Sequence, residues 1–190
     1  MCNFKSFIVL KNRVYVPDGD SHSDMLRDLG IADDYLNATK TFVRGELLPP
    51  HGDMTKPVAE WSLKVDQDIT PDWWCTDVDG ARARDAVDEW VREHVFTSGE
   101  HTVKDGLFYA YNSSTVKAYD NSTINAYDIS TINAYNNSTV KAYNNSTIKA
   151  YDNSTITACD SSVVIRPADE KVYIADGWTA VSRKEGESCQ

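Results

Sequence analysis

The sequence predicts an α+β head followed by an octapeptide-repeat β-solenoid, with two octads (sixteen residues) per coil and a short C-terminal cap. Residues 112–167 repeat every eight positions without a slip, as NSSTVKAY, DNSTINAY, DISTINAY, NNSTVKAY, NNSTIKAY, DNSTITAC and a decayed DSSVVIRP. A fixed short period marks an array built by stacking. Inside each octad, Ser-Thr-Val/Ile-x-Ala alternates with the two-residue period of a strand. Residues 1–103 instead mix short strand-like runs with two capped helical patterns, and 168–190 form the cap.

In the head, Phe4 to Leu10 and Arg13 to Val16 read as a hairpin bent at Lys11-Asn12. Ser21 and Asp24 then form a capping box, Met25, Leu26 and Leu29 give an apolar side, and Gly30 stops a short helix. Thr41 to Leu48 and Trp61 to Val65 predict strands, broken by Pro49-Pro50 and Pro57. A longer helix is expected over 78–96, capped by Thr76 and Asp79 and ended by Ser98-Gly99. Its apolar stripe runs through Ala83, Val87, Trp90, Val91, His94 and Val95.

In the solenoid (104–167), Ser114, Val116, Ala118 and their repeats form a thin interior. The outward ladder is Thr115, Lys117, Thr123, Asn125, Thr131, Asn133, Thr139, Lys141, Thr147 and Lys149. The linking pairs, such as Asp120-Asn121 and Asn136-Asn137, tolerate left-handed backbone and suit corners. Eight residues are too few to enclose an interior, so two octads make a coil. Lys117, Asn133 and Lys149 then stack on one face and Asn125, Lys141 and Thr157 on the other, so no two lysines adjoin. Tyr111, Tyr119, Tyr127, Tyr135, Tyr143 and Tyr151 are expected to run along the coil edges, with Cys159 in the next slot. In the tail, Lys171 to Ile174 and Thr179 to Val181 are strand-like around Trp178, and would cover the open solenoid end.

The net charge of −10 is unevenly spread. Residues 1–111 hold 12 basic and 20 acidic groups, and 112–167 hold 4 of each. An acidic head repels nucleic acid and acidic membranes and favours basic protein surfaces. The four cysteines (Cys2, Cys75, Cys159, Cys189) lack metal spacing or a dense disulfide framework. The one N-terminal apolar run, Phe7 to Leu10, is too short for a signal peptide. A cytoplasmic protein with no cofactor and no bound metal is expected.

Asp18, Asp20, His22 and Asp24 alternate like a calcium loop, but Ser23 stands where glycine is needed and Leu29 where a bidentate glutamate is needed. The candidate partner-binding residues are Asp66, Asp68, Asp72, Trp73 and Trp74, an aromatic anchor ringed by carboxylates. His51 reads as a turn residue, and His94 as a core or boundary residue.

The octads, DNSTITA at 152–158 most closely, resemble those of bacterial ice-nucleation proteins, which implies a β-solenoid. The Thr-x-Thr pair those proteins display occurs here once, at Thr155 and Thr157, which argues against ice binding. The phrases SHSDMLRDLGI (21–31), FVRGELLPPHGD (42–53) and EWSLKVDQDITPDWW (60–74) resemble small acidic proteins of bacteriophages and prophages. That resemblance implies phage origin; with the acidic head and the absence of catalytic motifs it leads us to expect a non-enzymatic inhibitor of a host protein, with bacterial defence machinery such as a CRISPR-Cas effector as target. Two alternatives stand beside it: self-association through the solenoid to a homo-oligomer, and an enzyme in the head using Asp18, Asp20 or Glu46.

Overall fold

The computed structural model describes residues 4–159 and 161–166, with the backbone of Tyr173–Ile174 and Val181–Lys184. It comprises two compact units, Met1–Glu93 and His94–Gln190.

In the first unit, β1 (Lys5–Leu10) and β2 (Arg13–Tyr15) form the expected hairpin. Helix α1 (His22–Asp28) follows, its Asp24 N–H donating to Ser21 Oγ at 3.3 Å. A single turn, α2 (Tyr35–Ala38), was not expected; Asp34 caps it by accepting the Asn37 N–H at 2.8 Å. Strands β3 (Phe42–Leu48) and β4 (Ser62–Val65) complete an antiparallel sheet in the order β2-β1-β3-β4. The proline-marked breaks hold two 3-10 turns, and His51 takes a left-handed turn conformation at φ 56.

Both faces of this sheet are covered. Ile8 and Phe42 pack with Met25 and Leu26 of α1 on one face. On the other lies α3 (Thr76–His94), where Gly80 is the close approach: a Cβ there would come within 2.9 Å of Leu63. Gly45 serves the same end inside the sheet, since a Cβ at that position would overlap the Phe7 ring. Helix α3 starts and stops two residues earlier than the expected 78–96. Asp79 Oδ2 accepts the Cys75 N–H at 2.8 Å, so Thr76 lies inside the first turn instead of capping it. At the other end, Val95–Phe96 leave the helix to pair as β5.

Lys5 is the unexpected core residue, only 1% exposed. Its ammonium donates to Asp18 O (3.0 Å), Gly19 O (3.3 Å) and Asp20 Oδ1 (2.9 Å), and lies 4.5 Å from the centroid of the Trp90 ring. Burial pushes its pKa below the ordinary lysine value, and Asp20 opposes that shift.

In the second unit the strands are β6 (Glu100–Ala110), β7 (Thr115–Ala126), β8 (Thr131–Ala134), β9 (Thr139–Ala142), β10 (Thr147–Ala150), β11 (Thr155–Ala158), β12 (Val163–Arg166), β13 (Tyr173–Ile174) and β14 (Val181–Lys184). They pair in parallel, in the order β13-β11-β9-β7-β8-β10-β12-β14, with β5 and β6 joined at β7. The registers Thr115↔Thr131↔Thr147 and Thr123↔Thr139↔Thr155 advance sixteen residues per coil. The solenoid is thus two-faced, as the octads predict, and its lysine ladder reads Lys117, Asn133, Lys149. Beyond the octads, Thr155 pairs with Tyr173 and Val163 with Val181, so the stack continues through the tail backbone. Trp178 lies outside the described residues.

The interior is Ser, Val or Ile, and Ala, all buried, from Ser114, Val116 and Ala118 through Ser162 and Val164. Among the described residues, six octad corners carry a left-handed Asn or Asp: Asn112, Asp120, Asp128, Asn136, Asn144 and Asp152, at φ between 51 and 58. Tyrosine rings stack edge by edge, Tyr111–Tyr127–Tyr143 at 4.7 and 5.1 Å and Tyr119–Tyr135–Tyr151 at 4.8 and 4.9 Å. Cys159 takes the next slot, its N–H bonding Ala142 O as Tyr143 N–H bonds Ala126 O.

The solenoid also begins before the octads. Glu100 pairs with Thr115 and Ala110 with Ala126, so the non-repeating segment behind the expected 103/104 boundary already forms a coil. Phe96, stacked on His101 (4.0 Å) and Phe108 (6.1 Å), and His94, stacked on Phe108 (5.3 Å), place an aromatic cluster in that first coil.

Asn and Asp alternate along each corner ladder. Asn136 sits between two aspartates, its amide donating to Asp120 Oδ1 at 3.0 Å and its backbone N–H to Asp152 Oδ2 at 3.1 Å. Asn136→Asp therefore puts three carboxylates in a row at strand spacing, which is unfavourable. We expect a lower Tm at pH 7, most marked at low salt. The repulsion exists only between ionised carboxylates, so the deficit should narrow as pH falls into the range where carboxylates protonate. A thermal-unfolding series in pH and salt checks this.

Removing Asp20 strips the buried Lys5 of its counter-charge, and Asp20→Ala should cost about 2–3 kcal/mol at pH 7. A lysine with a folded pKa below the ordinary 10.5 destabilises the fold while charged. The deficit should therefore shrink as pH rises through that folded value, and urea unfolding at about pH 7 and about pH 9.5 measures it.

Candidate functional site

The β3–β4 register places Glu46 opposite Lys64, and Asp66 N–H continues the pairing to Arg44 O at 2.9 Å. Two-residue alternation then puts Arg44, Glu46, Lys64 and Asp66 on one face. Helix α1 delivers His22 to the same face. Its Nδ1 lies 3.3 Å from Asp66 Oδ2 and its Nε2 3.1 Å from Gly45 O. Lys64 Nζ bonds Glu46 Oε2 at 3.0 Å and Asp66 Oδ1 at 3.1 Å. The hydrogen bond from Lys64, aided by the charges of Lys64 and His22, holds the Asp66 carboxyl below the usual range. Hydrogen bonds to Glu46 and Asp66 hold Lys64 above its own. The ligand atoms of His22, Glu46 and Asp66 all lie within 4.8 Å of one another.

Beside this cluster opens a groove of about 640 Å³ between α2 and the 66–69 loop, walled by Tyr35, Ala38, Arg44, Lys64, Asp68 and Ile69. Gln67, which the sequence did not single out, fixes that wall. Its Oε1 accepts the Arg44 N–H at 2.8 Å, and its Nε2 donates to Ala38 O (3.2 Å), Phe42 O (3.3 Å) and Ile69 O (2.7 Å). Apolar groups stay in water at the rim, where Tyr35 is 72% exposed and Ile69 44%, and Leu36, the next residue of α2, is 59% exposed. Asp33 is held by Arg44 and Ser23, and Asp34 by the α2 cap. Asp68, exposed, has no polar partner among the described residues.

The five predicted partner-binding residues are thus divided. Asp66 and Asp68 belong to this groove, while Asp72 is exposed outside it. Trp73 is half-buried, donates its indole N–H to Lys40 O at 2.7 Å, and lines a different groove with Leu10, Ile31 and Thr41. Trp74 is also half-buried. The well-exposed aromatic beside the carboxylates is Tyr35, whose short segment Asp34 to Ala38 offers too few residues for a periodic signal.

The other carboxylates considered for chemistry have structural partners. Asp18 Oδ1 accepts the Trp90 indole N–H at 3.4 Å, Asp20 serves Lys5 and Ser6, and Glu46 pairs with Lys64. On the solenoid, Lys117 pairs with Glu100, while Lys141 and Lys149 are exposed. Among the described residues no helix is long and apolar enough to cross a membrane.

No protein-family model matches this chain, and no curated protein or solved structure matches it either. What the coordinates define is an architecture, an α+β unit joined to a sixteen-residue-per-coil β-solenoid.

Gln67→Ala leaves a partly buried N–H and three carbonyls without their partner, which should cost about 2 kcal/mol. Amide hydrogen exchange should show faster opening at residues 66–69 and at Arg44, with β1 unaffected.

Proposed function

We propose that this is a non-enzymatic binding protein whose head engages a basic protein surface, in the manner of phage inhibitors of host proteins. The observation that carries the reading is the groove itself: Tyr35 and Ile69 exposed at its rim, with Asp66 and Asp68 in its wall. Aromatic and aliphatic anchors of this kind contribute most when an interface dehydrates them. The flanking carboxylates steer and orient lysine- and arginine-bearing surfaces.

Helix α3 supports the same partner chemistry. Asp85, Glu89 and Glu93 are exposed at four-residue spacing, with no cationic partner among the described residues. Like charges so spaced weaken a helix by roughly 0.2–0.5 kcal/mol per pair, and a basic surface relieves that repulsion. Residues 1–93 hold 11 basic and 18 acidic groups, which opposes binding to nucleic acid. The host-defence target, a CRISPR-Cas effector or similar nucleic-acid-binding machinery, rests on the phage resemblance of residues 21–31, 42–53 and 60–74.

Affinity capture from nuclease-treated bacterial lysate tests this with wild type, Tyr35→Ala and Asp68→Lys, each confirmed folded by circular dichroism. Wild type should retain a basic host protein in a salt-sensitive way, and each variant should retain it at least about tenfold less. Equal capture by all three, or no capture by wild type, overturns the proposal.

A further inference from the structure

We propose that His22, Glu46 and Asp66 form a binding site for one divalent transition-metal ion, with zinc the best fit to the donor set. The site does not rest on the protein-binding reading above, though the two share Asp66. It draws its three ligands from α1, β3 and the turn after β4, segments that the sheet register and the α1 packing bring to one face.

The spacing suits a small ion. Two donors on a tetrahedral zinc, each about 2.0–2.2 Å from it, stand about 3.4 Å apart. His22 Nδ1 and Asp66 Oδ2 are 3.3 Å apart, and the Glu46 carboxylate lies within 4.8 Å of both, close enough for a rotamer adjustment to close the set. His22 and Glu46 are sheltered, with side chains 11% and 16% exposed, so solvent competes weakly for them.

The imidazole is oriented for the task. Gly45 O can only accept, so the proton belongs on His22 Nε2, 3.1 Å away. A ring nitrogen held by a backbone carbonyl in this way is the usual outer-shell support of a metal-ligating histidine. Nδ1 faces Asp66 Oδ2 at 3.3 Å, an ion-pair contact that a metal ion would replace by coordinating both atoms. A cation placed there satisfies both.

Lys64 is the built-in competitor, yet it does not block the position. It uses Asp66 Oδ1, the oxygen turned away from His22, and its side chain is 54% exposed on a flexible stem. An arriving dication displaces the ammonium from Glu46 without any rearrangement of the sheet. One imidazole with two carboxylates is a borderline ligand set that favours zinc over magnesium or calcium, which seek shells of oxygen. Three protein ligands leave a position for water, and the bound ion ties α1 to the sheet.

The full chain, stripped with chelator, is titrated with zinc and separately with magnesium at about pH 7.5, by calorimetry and by thermal unfolding. Wild type should show a one-to-one zinc component that raises Tm, since a ligand bound only by the folded state stabilises it, and magnesium should not. His22→Ala and Asp66→Asn should weaken that component at least about tenfold, the scale on which a lost ligand or its support acts. Lys64→Met, which keeps all three ligands, should strengthen it. Absence of the component in wild type overturns the assignment, as does its survival in His22→Ala or a Lys64→Met affinity no higher than wild type.

Discussion

The second unit depends on one backbone constraint, a left-handed residue at the octad corners. Asn and Asp are the side chains that occupy that region at least cost apart from glycine, because a short polar group can bond the local main chain. With φ held between 51 and 58 at the six described octad corners, the chain turns at the same point in each of these octads. Each four-residue strand then points Val or Ile and Ala inward and Thr outward, and the Ser just before it is buried too. A register slip of one residue would carry the whole apolar set into water, so the stack is held to i↔i+16 throughout the octads. The tyrosine spacing of 4.7–5.1 Å follows from strand spacing and needs no further cause.

A stack that puts equivalent positions above one another must also deal with equivalent charges. The rod does this by alternation: Lys117 and Lys149 are separated by Asn133, and Asp120 and Asp152 by Asn136. The head takes the opposite course. It leaves Asp85, Glu89 and Glu93 in file on α3 and Asp68 without a partner among the described residues, and it buries a lysine at Lys5 inside a cage of three oxygens. Balanced, repetitive charge belongs to the octads of 112–167, and the larger excess of acidic groups to the head.

Legibility in the sequence followed the same division. Periodicity exposes the solenoid because the local rule and the global stack coincide in every octad, and the sixteen-residue coil was readable from the lysine spacing. The first coil was not, since Glu100 to Ala110 forms it from residues that carry no repeat and are recruited by pairing with β7. In the head the hairpin, α1 and both remaining strands were evident, whereas the end of α3 was set by tertiary pairing of Val95 and Phe96. At the site, Asp66 and Asp68 were identified from local composition. Tyr35, Gln67 and the meeting of His22 with Glu46 were not, because each depends on contacts between segments some 20 to 30 residues apart.

Asp66 is the residue on which both proposals for the head converge. One of its oxygens serves Lys64 and the other faces His22, and the same carboxylate borders the groove beneath Tyr35 and Ile69. A cation held by His22, Glu46 and Asp66 would release Lys64 and cancel part of the negative potential that a basic partner meets. Equilibrium coupling is reciprocal, so a basic partner seated in the groove would weaken the cation in the same ratio. The two ligands would then oppose each other through a single carboxylate, without any movement of the sheet.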